Sequence, residues 1–150
     1  EEHDEAILSQ FDNLSKRDIV KVLGDFIFDS QKYDYYINRL SRCKGRIQVI
    51  MGNHDSLKLY KESIFEIQLP LYSYKNMWIS HCPIHPQELR DRLGCIHGHL
   101  HGNNVLINNS QLNDDRYFNV NLDNNSFKFV KLENIKFHFV NLDKTKTLPI

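Results

Sequence analysis

Apolar positions recur along the 150-residue chain with two different periods, and the change of period divides it. Near the start, Ile7, Leu8, Phe11 and Leu14 return at helical spacing behind Glu1, Glu2, Asp4 and Glu5. This predicts a helix whose acidic first turn suits its dipole. Residues 18–23 form a β-branched apolar run that stops at Gly24, which predicts a buried strand. Tyr33, Tyr36, Ile37 and Leu40 restore the helical period, and Arg39, Arg42 and Lys44 lead into Gly45 as a helix end. A second apolar run, 47–51, stops at Gly52. Helix, strand, helix, strand is the grammar of an α/β fold with a parallel sheet.

Downstream, 64–69 and 71–74 read as two short strands broken at Pro70, 77–80 as a strand, 86–92 as a short helix and 95–97 as a strand. Past residue 115 the period becomes two. Phe118, Val120 and Leu122 alternate with polar residues, Phe127 and Phe129 flank Lys128, and an Asp-Asn-Asn-Ser turn lies between. That pattern predicts an antiparallel hairpin. Ile135, Phe137 and Phe139 alternate as one more strand, so a second, mostly antiparallel sheet is expected. No repeat, low-complexity tract or linker interrupts residues 1–150, which read as a single domain.

Charge and cysteine content narrow the partners. Nineteen basic residues balance nineteen acidic ones, for a formal net charge of zero. A long electrostatic footprint on nucleic acid or an anionic membrane is therefore not expected, whereas a substrate carrying one or two phosphates is compatible. No apolar run approaches the roughly 20 residues of a membrane span, and no signal-peptide pattern opens the chain. Cys43, Cys82 and Cys95 are odd in number and contain no Cys-x-x-Cys pair, so they read as reduced thiols in a cytoplasmic protein.

The chemistry collects where strands end. The first strand runs into Gly24-Asp25, the second into Gly52-Asn53-His54-Asp55, the one at 77–80 into His81, and the one at 95–97 into Gly98-His99-Leu100-His101. In α/β sheets the carboxyl ends of strands form the binding edge, so these residues are expected to converge there. Carboxylate, amide and imidazole donors without a thiolate suit Mn, Fe, Zn or Ni rather than a closed structural zinc site.

Gly-Asp at 24–25, Gly-Asn-His-Asp at 52–55, Ser-His at 80–81 and Gly-His-Leu-His at 98–101, in that order, resemble the calcineurin-like metallophosphoesterase family. The stretches SHCPIHPQEL, IHGHLHGN and RYFNVNLDNNSF are most similar to small bacterial and bacteriophage members, whose setting would be the cytoplasm of the bacterium or host. The resemblance implies an α/β fold, a β-sandwich of two mixed sheets flanked by helices. It also implies two divalent ions, Mn²⁺ foremost, that activate a hydroxide for attack on phosphorus. Carried over, Asp25 bridges the ions, Asn53, His81 and His99 complete one site, and His101 belongs to the other. His54 assists the leaving group and Asp55 orients it. Such ions, about 3.5–4 Å apart, clamp phosphate oxygens for in-line attack. The family's opening Asp-x-His motif is absent, and the chain starts Glu1-Glu2-His3 without Met. The expectation is a domain lacking its first strand, with a full ligand set for one ion.

Some residues carry a plainer reading. His97 falls out of step with His99 and His101 and is expected to be packed behind them; His3 and His138 read as surface or packing residues. His85 is expected either to order its loop or to touch a phosphate. Gly-Asn-His-Asp in place of Gly-Asn-His-Glu, and GDFIFD without the arginine of protein phosphatases, favour a small phosphodiester such as a nucleotide or cyclic nucleotide. The competing reading is a one-metal module that binds a phosphate ligand without turnover.

Overall fold

A computed structural model gives the fold and describes residues 2–142, so Glu1 lies outside it. The chain divides into two compact units, Glu1–Pro70 and Leu71–Ile150.

The first unit contains α1 (Glu2–Asp12), β1 (Ile19–Leu23), α2 (Tyr33–Leu40), β2 (Arg46–Ile50) and β3 (Phe65–Ile67), with a 3-10 turn at Leu57–Lys61. The three strands form a parallel sheet in the order β1-β2-β3. Each follows the expected α/β grammar, and the run expected at 64–69 shortens to three residues. Ile47, Val49, Ile50, Leu59 and Phe65 are buried, and α1 and α2 add Leu8, Phe11, Tyr33 and Leu40 to the core. The helices are also joined by polar contacts. Tyr36 donates its hydroxyl to Asp4 at 2.9 Å, Tyr35 donates to Glu5 at 3.0 Å, and the Arg39 guanidinium donates to both oxygens of Asp12. Arg39, expected only to complement a helix end, therefore ties two helices together, and Arg46 donates twice to Glu66 across the sheet.

The second unit contains β4 (Leu71–Tyr74), β5 (Met77–Ser80), β6 (Cys95–His97), β7 (Tyr117–Asn119) and α3 (Leu132–Val140). Short 3-10 turns lie at Pro86–Leu89 and Leu122–Asn125. The sheet order is β4-β5-β6-β7. Lys75 and Asn76, both left-handed at φ 48° and 65°, make the tight turn that pairs β4 with β5 antiparallel. The β5–β6 and β6–β7 pairs are parallel, so this sheet is mixed with one antiparallel pair, rather than mostly antiparallel.

Two expected strands are replaced. After β7 the chain closes in a 3-10 turn, with Ser126 and Phe127 both left-handed. The Asn125 side-chain amide donates to the carbonyls of Asn119 and Asn121, groups that a hairpin partner would have bonded. The alternation of Ile135, Phe137 and Phe139 belongs to helix α3. Ile135 and Phe139, four apart, are buried on one face, while Phe137 is 71% exposed. Gly94 allows this packing: a Cβ there would lie 2.6 Å from a Phe139 ring carbon and 2.6 Å from the Arg116 carbonyl.

Candidate active site

In the first unit, β1 and β2 are parallel neighbours with Leu23 opposite Ile50, so the residues after each strand emerge side by side. Gly24 (φ 89°) and Asp25 (φ 52°) both take left-handed backbone, which turns the chain sharply at the end of β1. The His54 amide donates to Asp25 Oδ1 at 2.9 Å. Gly52 is required by space: a Cβ on it would sit 2.2 Å from Asp25 Oδ1 and 2.3 Å from the Asp25 amide nitrogen. Asp55 clasps both loops, accepting from the Gly52 amide at 2.8 Å through one oxygen and from the Phe26 amide at 2.7 Å through the other. Its hydrogen bonds run to backbone amides of both loops. The exposed His54 ring lies 5.4 Å from that of Phe28, itself 61% exposed. Asn53, in the same loop, is also exposed.

In the second unit the same construction recurs on β5 and β6, with Ile79 opposite Ile96. The Gly98 amide donates to the His81 carbonyl at 2.9 Å, and the Ser80 hydroxyl donates to the Cys82 carbonyl. His81 Nε2 and His99 Nδ1 are 3.1 Å apart, with the rings edge to face. Cys82 joins them: one ligand atom each from His81, Cys82 and His99 lie within 4.8 Å of one another. The side chains gathered at this strand end therefore include a sulfur beside the two imidazoles. His101 is exposed, lies outside this group, and shares with His99 a left-handed backbone (φ 51° and 67°).

Support beneath the loop comes from two residues. His97 is fully buried and packed, as expected; its Nδ1 donates to the Gly98 carbonyl at 2.8 Å. That bond fixes the Nδ1–H tautomer, and burial pushes the imidazole pKa down, so the ring is held neutral. Asn119 donates to the carbonyls of His101 (2.9 Å) and Asn103 (2.7 Å), holding the histidine loop from below. Sequence reasoning missed Asn119 because it read as the outward polar position of a hairpin; its signal was an asparagine ending an apolar strand. His85 caps the 3-10 turn at Pro86–Leu89, its Nδ1 accepting from the Gln87 amide at 3.3 Å.

The expectation of four strand ends on one edge resolves into two neighbouring strand ends in each of two sheets. Carboxylate and amide oxygens lie in one unit, imidazoles and a thiol in the other, a donor chemistry that fits divalent cations. Among the described residues no helix is long and apolar enough to cross a membrane.

No curated protein matches the sequence. The fold is similar to that of a solved protein of unknown function, AQ665 from Aquifex aeolicus, with a TM-score of 0.68 and 22% identity over 90% of this chain and 84% of that one. The family model for calcineurin-like phosphoesterase matches residues 2–147, and its α/β architecture of two sheets is the one observed. With that match across both units and the strand-end motifs in order, the chain belongs to the calcineurin-like phosphoesterase family, hydrolases that bind divalent metal and cleave phosphoesters.

Proposed function

We propose that this protein hydrolyses a small phosphodiester, a nucleotide or cyclic nucleotide, and that the two units are halves of one domain spanning residues 1–150. In this reading Asp25, Asn53, His81, His99 and His101 are ligands of two divalent ions. The observation that carries it is the repeated placement of motif residues after adjacent parallel strands, β1 with β2 and β5 with β6. The oxygen donors Asp25 and Asn53 favour a hard cation such as Mn²⁺. Bound ions would supply Lewis-acid polarisation of the phosphoryl group and a more acidic water.

The chain's own groups do the rest. His54, exposed at the loop tip, delivers a proton to the departing oxygen. Asp55 keeps that tip in place through the amides of Gly52 and Phe26. Phe28, exposed beside His54, offers an apolar face to an aromatic leaving group or base. Gly-Asn-His-Asp and GDFIFD support a diester over a phosphoprotein, and zero net charge supports a small substrate over a long duplex. In this reading His85 is a phosphate contact through the imidazole edge that its capping bond to the Gln87 amide leaves over. Three thiols outside any disulfide support a cytoplasmic setting.

With Mn²⁺, the purified protein should hydrolyse bis-p-nitrophenyl phosphate faster than p-nitrophenyl phosphate. His54→Ala should lower that turnover by about 10²–10⁴-fold. Unchanged turnover in the variant would remove His54 from the reaction, and an inactive wild type would overturn the reading.

A further inference from the structure

We propose that Cys82 is a metal ligand beside His81 and His99, and that this trio selects a borderline-soft cation of the zinc class. The proposal rests on reading His81 and His99 as ligands, and extends it to a residue outside the family motifs.

Three observations carry it. The two imidazole nitrogens are 3.1 Å apart. Two nitrogens on one tetrahedral Zn²⁺, each about 2.0–2.1 Å from it, stand about 3.3 Å apart. The Cys82 sulfur lies within 4.8 Å of a ring nitrogen of each histidine. Second, consecutive residues in an extended strand point to opposite faces, whereas His81 and Cys82 sit in a bend just past β5. The Gly98 amide and the Ser80 hydroxyl hold the carbonyls of His81 and Cys82 respectively, so the bend that lets both side chains converge is fixed by the backbone. Third, Cys82 is exposed and accessible to an incoming ion, while Cys95 is fully buried with its sulfur 3.6 Å from Ser80 Oγ.

A thiolate with two imidazoles is a donor set for Zn²⁺ or Co²⁺, and poorly suited to Mn²⁺. Three protein ligands also leave the fourth tetrahedral position open, as a site that handles substrate requires.

Cobalt reports thiolate ligation directly. Metal-free protein titrated with Co²⁺ should develop visible ligand-field bands together with a near-ultraviolet thiolate-to-cobalt charge-transfer band. Cys82→Ser should lose the charge-transfer band and keep the visible bands, whereas Cys43→Ser should keep both. Zn²⁺ affinity, measured by chelator competition, should fall at least about tenfold in Cys82→Ser, the lower range for losing even a supporting partner of a ligand. A charge-transfer band that persists in Cys82→Ser, or never forms in wild type while Co²⁺ binds, overturns the proposal. If the wild type meanwhile hydrolyses bis-p-nitrophenyl phosphate with Mn²⁺, the phosphodiesterase reading stands without it. A Cys82-dependent band in a protein that hydrolyses nothing supports the ligand and contradicts the phosphodiesterase. Failure to bind Co²⁺ at all overturns Cys82 along with His81 and His99.

Discussion

Single residues set the geometry of the two strand-end loops, and Gly52 shows how tightly. Its missing Cβ is the space through which Asp25 passes, and one of the clashing atoms is backbone nitrogen, which cannot swing aside. Gly52→Ala should therefore shift Asp25 and lower stability by about 1–3 kcal/mol, the usual range for overpacking. Mn²⁺ retained after desalting, measured by elemental analysis beside a urea unfolding curve, should fall in the variant. Wild-type retention would mean that Asp25 holds no metal. Asp25, the Gly-Asn-His-Asp loop, His81 and the paired histidines were legible in the sequence because each is a polar group directly after an apolar run that stops short. Asn119 and Cys82 were not. The role of Asn119 is defined by carbonyls of His101 and Asn103, sixteen or more positions away, and the place of Cys82 beside His81 and His99 by a bend that no local pattern announces.

At the scale of elements, α2 is attached through its tyrosines. Tyr33 donates to Glu62 at 3.0 Å and Tyr36 to Asp4. Burial, reinforced by these carboxylates, pushes both phenols up to about 12 from an ordinary value of 10.0. The folded state thus keeps protons that the unfolded chain releases first. Their stabilising contribution is complete below pH 10, and is lost as pH rises toward 12. The urea midpoint should fall across that window, and the double variant Tyr33→Phe with Tyr36→Phe should flatten the fall. An unchanged slope would show that these hydroxyls do not anchor α2. The elements of the first unit were readable because each apolar run is bounded by glycine or a basic helix end. In the second unit, β6 and β7 are three residues long, too short for periodicity to declare parallel pairing. Helix α3 was read as a strand because Phe137, though large and apolar, faces solvent and supplies a false period of two.

For the whole molecule, the proposed ligand set is divided, with Asp25 and Asn53 in the first unit and His81, His99 and His101 in the second. The α/β class and family were legible because four motifs fall in order along nearly the entire chain, and the family match confirms that reading over residues 2–147. Substrate was less legible, since the strand-end motifs are shared by enzymes that cleave different phosphoesters. If catalysis needs both units, a single substitution in either must abolish it. The most direct test is turnover of bis-p-nitrophenyl phosphate with Mn²⁺ by wild type, Asp25→Ala and His81→Ala, each with and without chelator. The expected result is turnover by wild type that chelator abolishes, and a loss of at least about 100-fold in each variant, as for interactions that stabilise charge in the transition state. Turnover that survives chelation, or that persists in either variant, would contradict metal-dependent phosphoester hydrolysis that needs both Asp25 and His81.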